Sequence, residues 1–147
     1  MERIILKAAA FAYADILCDL LKAITGEEYK FAPVHEEDGE DGYRLTIAIP
    51  PKRIVSEMKE AKREEEILEI VERRKEDILY LVAELSEEEN GKEIGEIKVA
   101  EYNKSPKKLG EKINKFAPLI EELVLCRLTK LFPTKLIKEL FSSWNKN

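Results

Sequence analysis

Apolar and polar positions change period several times along this chain of 147 residues. Over residues 2–25, Ile5, Ala8, Ala12, Ile16, Leu20 and Ala23 recur at helical spacings. The polar positions Lys7, Asp15, Asp19 and Lys22 fall near one narrow stripe. A helix with so narrow a polar stripe must be buried over most of its surface. Ala8, Ala9, Ala10, Ala12 and Ala14 would let a second helix approach closely, and Gly26 supplies a C-cap.

Residues 28–34 and 43–49 predict a β-hairpin. Tyr43, Leu45, Ile47 and Ile49 alternate with Arg44, Thr46 and Ala48, the period of a half-buried strand. Pro33 removes a backbone donor, which assigns the first strand to a sheet edge. The connection from His35 to Gly42 is acidic and is expected to be a flexible loop. Pro50 and Pro51 then stop the sheet and open a helix.

Residues 52–88 lack Gly and Pro. Ile54, Met58, Ala61, Leu68, Val71, Ile78, Val82 and Leu85 recur at spacings of three, four or seven. This predicts one helix about 50 Å long, or two helices broken near 62–66. Glu65 and Lys75 interrupt the apolar seam and argue against a continuous coiled coil. Asn90–Gly91 marks a turn. Ile97 and Val99 then alternate within a third strand over 93–102, with a bulge expected at Gly95. Ser105–Pro106 starts a helical region, which Pro118 and Pro133 divide into pieces near 106–116, 118–131 and 133–144. The fold class is therefore α+β and mainly helical. It comprises an N-terminal helix, a small antiparallel sheet, a long central helix and a C-terminal helical bundle in a single domain over residues 1–147.

A chain of this size buries about 68–70% of its unfolded surface and needs no disulfide or metal staple. Gln is absent while Glu and Lys are abundant, a composition that resembles that of hyperthermophilic proteins. Cys18 and Cys126 form no CxxC pair, and with a single His one copy cannot supply four Cys/His zinc ligands. Both cysteines lie in apolar helical segments and are expected to be small buried residues. Lys7, Asp15 and Asp19 interrupt the apolar N-terminus before it reaches spanning length. The expectation is a soluble cytoplasmic protein with no membrane partner.

Charge divides the chain. Residues 98–147 carry eleven Lys/Arg against five Asp/Glu, while residues 1–97 carry fourteen against twenty-five. Such asymmetry prepares one surface for a polyanion or an acidic protein. Lys104, Lys107, Lys108, Lys112 and Lys115, continued by Arg127 and Lys130, form a cationic stripe suited to phosphate contact without a base-reading motif. In the last helix, Ile137, Leu140, Phe141 and Trp144 share one face. Core packing explains them, and docking of that helix into a partner's groove is the alternative. The N-terminal helix carries more apolar face than one small sheet covers, which predicts self-association through it.

Other groups carry less chemistry. Asp15 and Asp19 are one turn apart and lack further oxygen ligands for a cation. His35 has no identifiable orienting partner or nucleophile. The Glu36–Asp41 run misses the spacing of a calcium loop. Glu65–Glu69 and Glu72–Glu76 are spaced like the magnesium-binding Glu pairs of helical nucleotide pyrophosphohydrolases, and the likeness stops there. Arg73, Arg74 and Lys75 sit inside the run, and a second acidic helix is missing. No Ser/His/Asp set, phosphate-binding glycine loop or cofactor motif is present. The sequence thus predicts a non-enzymatic binding module contacting nucleic acid through residues 104–138. Its alternatives are a metal-dependent hydrolase of phosphorylated small molecules, using carboxylates at 15–19 and 65–76, or a structural subunit of a larger complex.

Overall fold

The structure, a computed structural model, describes residues 1–40, 42–88, 90–101 and 107–145. Helix α1 (Glu2–Thr25) leads into strands β1 (Ala32–Gly39) and β2 (Gly42–Ile49). Helices α2 (Lys52–Glu60) and α3 (Glu64–Arg73) and a 3-10 turn (Lys75–Asp77) follow. Strands β3 (Leu79–Glu87) and β4 (Glu93–Glu101) complete the sheet, and helices α4 (Lys107–Leu128) and α5 (Thr134–Leu140) close the chain. The class is α+β, and the sheet has four antiparallel strands in the order β1-β2-β3-β4 rather than three.

Helix α1 ends where expected. Gly26 adopts φ 76°, and its N–H donates to the Lys22 carbonyl at 2.8 Å, the left-handed cap that glycine reaches without a Cβ penalty. The buried face of α1 is broader than one stripe: Ile5, Leu6, Ala9, Ala10, Tyr13, Ala14, Ile16, Leu17 and Leu21 are all inside. Ala8, Ala12 and Leu20, expected within the apolar stripe, lie at its half-buried border, and Ala23 is exposed.

The cover for that face comes from several directions. The inner face of the sheet presents Tyr43, Leu45, Ile47 and Ile49 from β2, with Leu79, Leu81, Ala83 and Leu85 from β3 and Ile97 from β4. Helix α1 packs against these three strands and also against α4 and α5. From α4 come Ile113, Ile120, Val124 and Leu128; α5 and its C-cap add Ile137, Leu140 and Phe141. The chain thus covers its own first helix, which removes the reason for self-association through α1.

The long central helix of the sequence reading is not formed. Residues 52–73 are two helices separated at Ala61, which is extended at φ −66° and ψ 136°. The Glu66 carboxylate accepts a hydrogen bond from the Lys62 N–H at 3.0 Å, which ties the first turn of the second helix back to the break. Residues 79–87 are the strand β3. Ile78, Val82 and Leu85 have helical spacing, but the buried set has period two, and Val82 turns to the opposite face. On that outer face, Ala48 and Tyr80 pack with Met58, Ala61 and Val71 around Ile54, Ile70 and Ile78 as a small second core. The α2–α3 pair thereby covers one end of the sheet.

The acidic segment from His35 is strand rather than loop as far as Gly39, paired with β2 through Asp38↔Tyr43 and Glu36↔Leu45. Its register slips between Pro33 and His35, and β1 is the edge strand that Pro33 implied. Turn formation at Asn90–Gly91 agrees with the sequence, and the Asn90 Oδ1 accepts from the Lys92 N–H at 3.0 Å. Helix α4 runs through Pro118 without stopping. The lost backbone bond and ring clash cost about 3 kcal/mol, and the four apolar residues that α4 buries against α1 offset this. The Ser105–Pro106 start lies outside the described residues.

Gly95 makes no bulge, because the β3–β4 register is unbroken through Leu85↔Gly95. A Cβ there would sit 3.1 Å from Leu6 Cδ1 and Phe141 Cε1 and 3.2 Å from Leu140 Cγ. Glycine is present because α1 and α5 press onto β4 at this point. Gly95→Val should therefore destabilise the protein by about 1–3 kcal/mol through overpacking. Urea unfolding should show a lower midpoint with an unchanged slope.

Candidate nucleic-acid interface

Most cations in the first two thirds of the chain are paired. Along α1 and β1, Arg3 bonds Asp38 and the Gly39 carbonyl, and Lys7 lies 3.2 Å from Glu36. The Tyr43 hydroxyl donates to Glu36 as well. That hydrogen bond, with Lys7 behind it, holds the Glu36 carboxyl below the usual range. Burial and the same carboxylate push the Tyr43 phenol up. Elsewhere Lys22 and Lys52 share Glu28, Arg53 bonds Glu27, Arg44 meets Glu84, and Lys98 meets Glu96. Glu57 takes both Arg73 and Arg74. Such exposed pairs contribute about 0–1 kcal/mol each. Their importance here is that they occupy the cations.

The C-terminal third differs. Lys112, Lys115, Arg127 and Lys130 are exposed along α4 and just past its end, and Lys135 and Lys138 are exposed on α5. Among the described residues, only Arg127 of this group meets a carboxylate, donating to Asp15 at 2.8 Å. Lys112, Lys115, Lys130, Lys135 and Lys138 have no ion-pair partner among the described residues. Lys107 and Lys108 belong to the first turn of α4. Lys104 lies outside the described residues.

The final apolar group faces inward. Ile137, Leu140 and Phe141 are 1%, 2% and 0% exposed. Trp144 stacks on Phe141 with ring centroids 4.4 Å apart and meets Tyr13 at 6.3 Å. Core packing is therefore what these residues do, and docking to a partner would first have to pull α5 out of the core. Burial, with the Glu121 carboxylate adding to it, pushes the Tyr13 phenol up to about 12.

Among the described residues, the carboxylate pairs that the sequence singles out do not converge. Asp15 is taken by Arg127, and Glu72 by Lys75 at 2.9 Å. Glu65 and Glu69 are exposed on α3, and Glu76 lies beyond it in the 3-10 turn. Among the described residues no group of three or more His, Cys, Asp or Glu side chains is placed to hold a metal ion. His35 sits on β1 with Glu37 at 2.8 Å. Cys18 and Cys126 are free thiols, and Cys126 is exposed, against the expectation of burial. A shallow hollow of about 360 Å³ lies at the β1–β2 end, lined by Glu37, Glu40, Tyr43, Arg44 and Glu84. No helix among the described residues is long and apolar enough to cross a membrane.

The sequence pattern of α4 does not distinguish one of its features. Besides its buried stripe, the helix carries a second apolar stripe of Phe116, Leu119 and Leu123, which are 38%, 51% and 42% exposed. The spacing was visible, but both stripes are apolar, and only the packing on α1 tells which one is free.

Comparison with protein-family models, curated proteins and solved structures gave no match in any of the three.

The Tyr13 environment predicts a response to alkali. The folded phenol has its pKa raised from 10.0 to about 12, so folding favours the neutral form. That contribution is complete below the ordinary pKa and is lost as pH rises through the folded one. Urea midpoints should fall between about pH 10 and pH 12, and Tyr13→Phe should remove part of that fall.

Proposed function

We propose that this protein is a non-enzymatic binding module that contacts the phosphates of nucleic acid through α4 and α5. The observation that carries this reading is the contrast in pairing. The protein neutralises most cations of residues 1–98 internally, with Lys30, Lys59, Lys62 and Lys92 as unpaired exceptions among the described residues. Among the described residues it leaves Lys112, Lys115, Lys130, Lys135 and Lys138 without carboxylates. An unpaired surface lysine interacts with phosphate without first giving up an internal partner, and each phosphate it neutralises releases a condensed counterion.

Spacing supports the same reading. Lys112 and Lys130 are separated by roughly 27 Å at helical rise, the reach of several successive phosphates. Arg127 is the poorest contributor of the group, because Asp15 already holds it. The acidic first two thirds repel a polyanion and restrict contact to the helical side. The carboxylates offer the hydrolase alternative no comparable arrangement.

Fluorescence anisotropy of labelled single-stranded DNA, duplex DNA and RNA tests this. Binding is expected to weaken by at least about tenfold between 50 and 200 mM salt. Lys130→Glu combined with Lys135→Glu and Lys138→Glu should weaken it about tenfold or more at low salt, while Lys59→Glu and Lys62→Glu should leave it unchanged. Absence of binding at low salt, or equal loss from both sets, would overturn the reading.

A further inference from the structure

The exposed stripe of α4 belongs to a longer series. Lys112, Phe116, Leu119, Leu123, Cys126 and Lys130 follow one another at alternating spacings of four and three. This is the seam repeat of paired helices. The apolar members of that seam have no cover among the described residues, whereas the neighbouring stripe of Ile113, Ile120, Val124 and Leu128 is buried against α1.

We propose that this seam is a self-association face on which α4 pairs antiparallel with α4 of a second copy. Charge selects both occupant and direction. Lys115 and Glu122 are exposed and flank the seam on the same side, one heptad apart and opposite in sign. In the antiparallel arrangement that stacks Phe116 against Leu119 of the second copy, Lys115 of each chain meets Glu122 of the other. The contact is therefore self-complementary, as a closed two-fold dimer requires. Shifting the register by one layer, so that Leu119 meets Leu123, would instead set Glu122 against Glu122. A parallel pair would face Lys112 with Lys112 and Lys130 with Lys130 in the seam itself.

In the favoured register the four central layers are Leu123 on Lys112, Phe116 on Leu119, and their symmetry mates. The Lys112 stem lies along Leu123 while its ammonium stays in water. Lys130 falls past these layers and remains open to phosphate, so the dimer does not depend on the nucleic-acid reading. One helix pair is a small contact, below about 1,200 Å² in total, so association is expected to depend on protein concentration.

Sedimentation of the protein alone, across a concentration series into the millimolar range, provides the test. The wild type should shift from monomer to dimer. Leu119→Glu should sediment as monomer throughout while keeping its circular dichroism and melting temperature, because that side chain is exposed. Lys115→Glu and Glu122→Lys should each weaken the dimer by about tenfold, and the double exchange should restore it. A wild type that stays monomeric would overturn the proposal. So would a folded Leu119→Glu that still dimerises, or a double exchange no better than its single variants.

Discussion

Helix α1 must be covered on nearly every side, and the rest of the structure is arranged to meet that demand. Its buried residues form too wide a band for one sheet. The β2–β4 surface takes one part of it, α4 another, and α5 fills the gap beside β4. Ala9, Ala10 and Ala14 keep the helix slim where partners approach. The tightness of the arrangement is felt as far away as Gly95, where strand backbone meets side chains from α1 and α5 without room for a methyl group. Leaving any of this surface wet would forfeit about 25 cal/mol per Å² of apolar area.

Covering α1 also organises the charges. The N-terminal end of α1 comes within side-chain reach of β1, so Arg3 and Lys7 meet the carboxylates of the edge strand. Its middle lies beside α4, where Asp15 meets Arg127. Acidic residues outnumber basic ones in the first two thirds of the chain, so most cations there find a partner. In α4 and α5 the balance is reversed, and the described lysines there are left over. The electrostatic character of the helical side follows from composition together with the placement of α1. Among the described residues the same placement leaves the second apolar stripe of α4 exposed.

Much of the fold was legible. Residues 2–25 read as a buried helix because their polar stripe is narrow. Strand β2 was legible through its strict alternation, and Gly26 and Asn90–Gly91 through their turn chemistry. Strand β3 was not, for a physical reason. It lies between α1 on one face and the small core of α2 and α3 on the other, so Ile78 to Ala83 is a continuous apolar run. Such a run carries no period of two, and its spacings of four and three imitate a helix. The continuity of α4 through Pro118 was hidden for a similar reason: local chemistry favours a break, and packing against α1 overrides it.

By itself, the sequence determined the class of fold, the burial of α1, the positions of most turns and the excess of positive charge in the last third. These depend on residues close together in the chain, where period, capping and composition act directly. Tertiary structure alone decided which stripe of α4 faces water, that α5 turns its aromatic face inward, and which cations remain unpaired. Those outcomes depend on groups far apart in sequence: Arg127 is held by a carboxylate 112 positions away. No local pattern encodes such a distance, because only the packing of helices on a common sheet brings the two charges together.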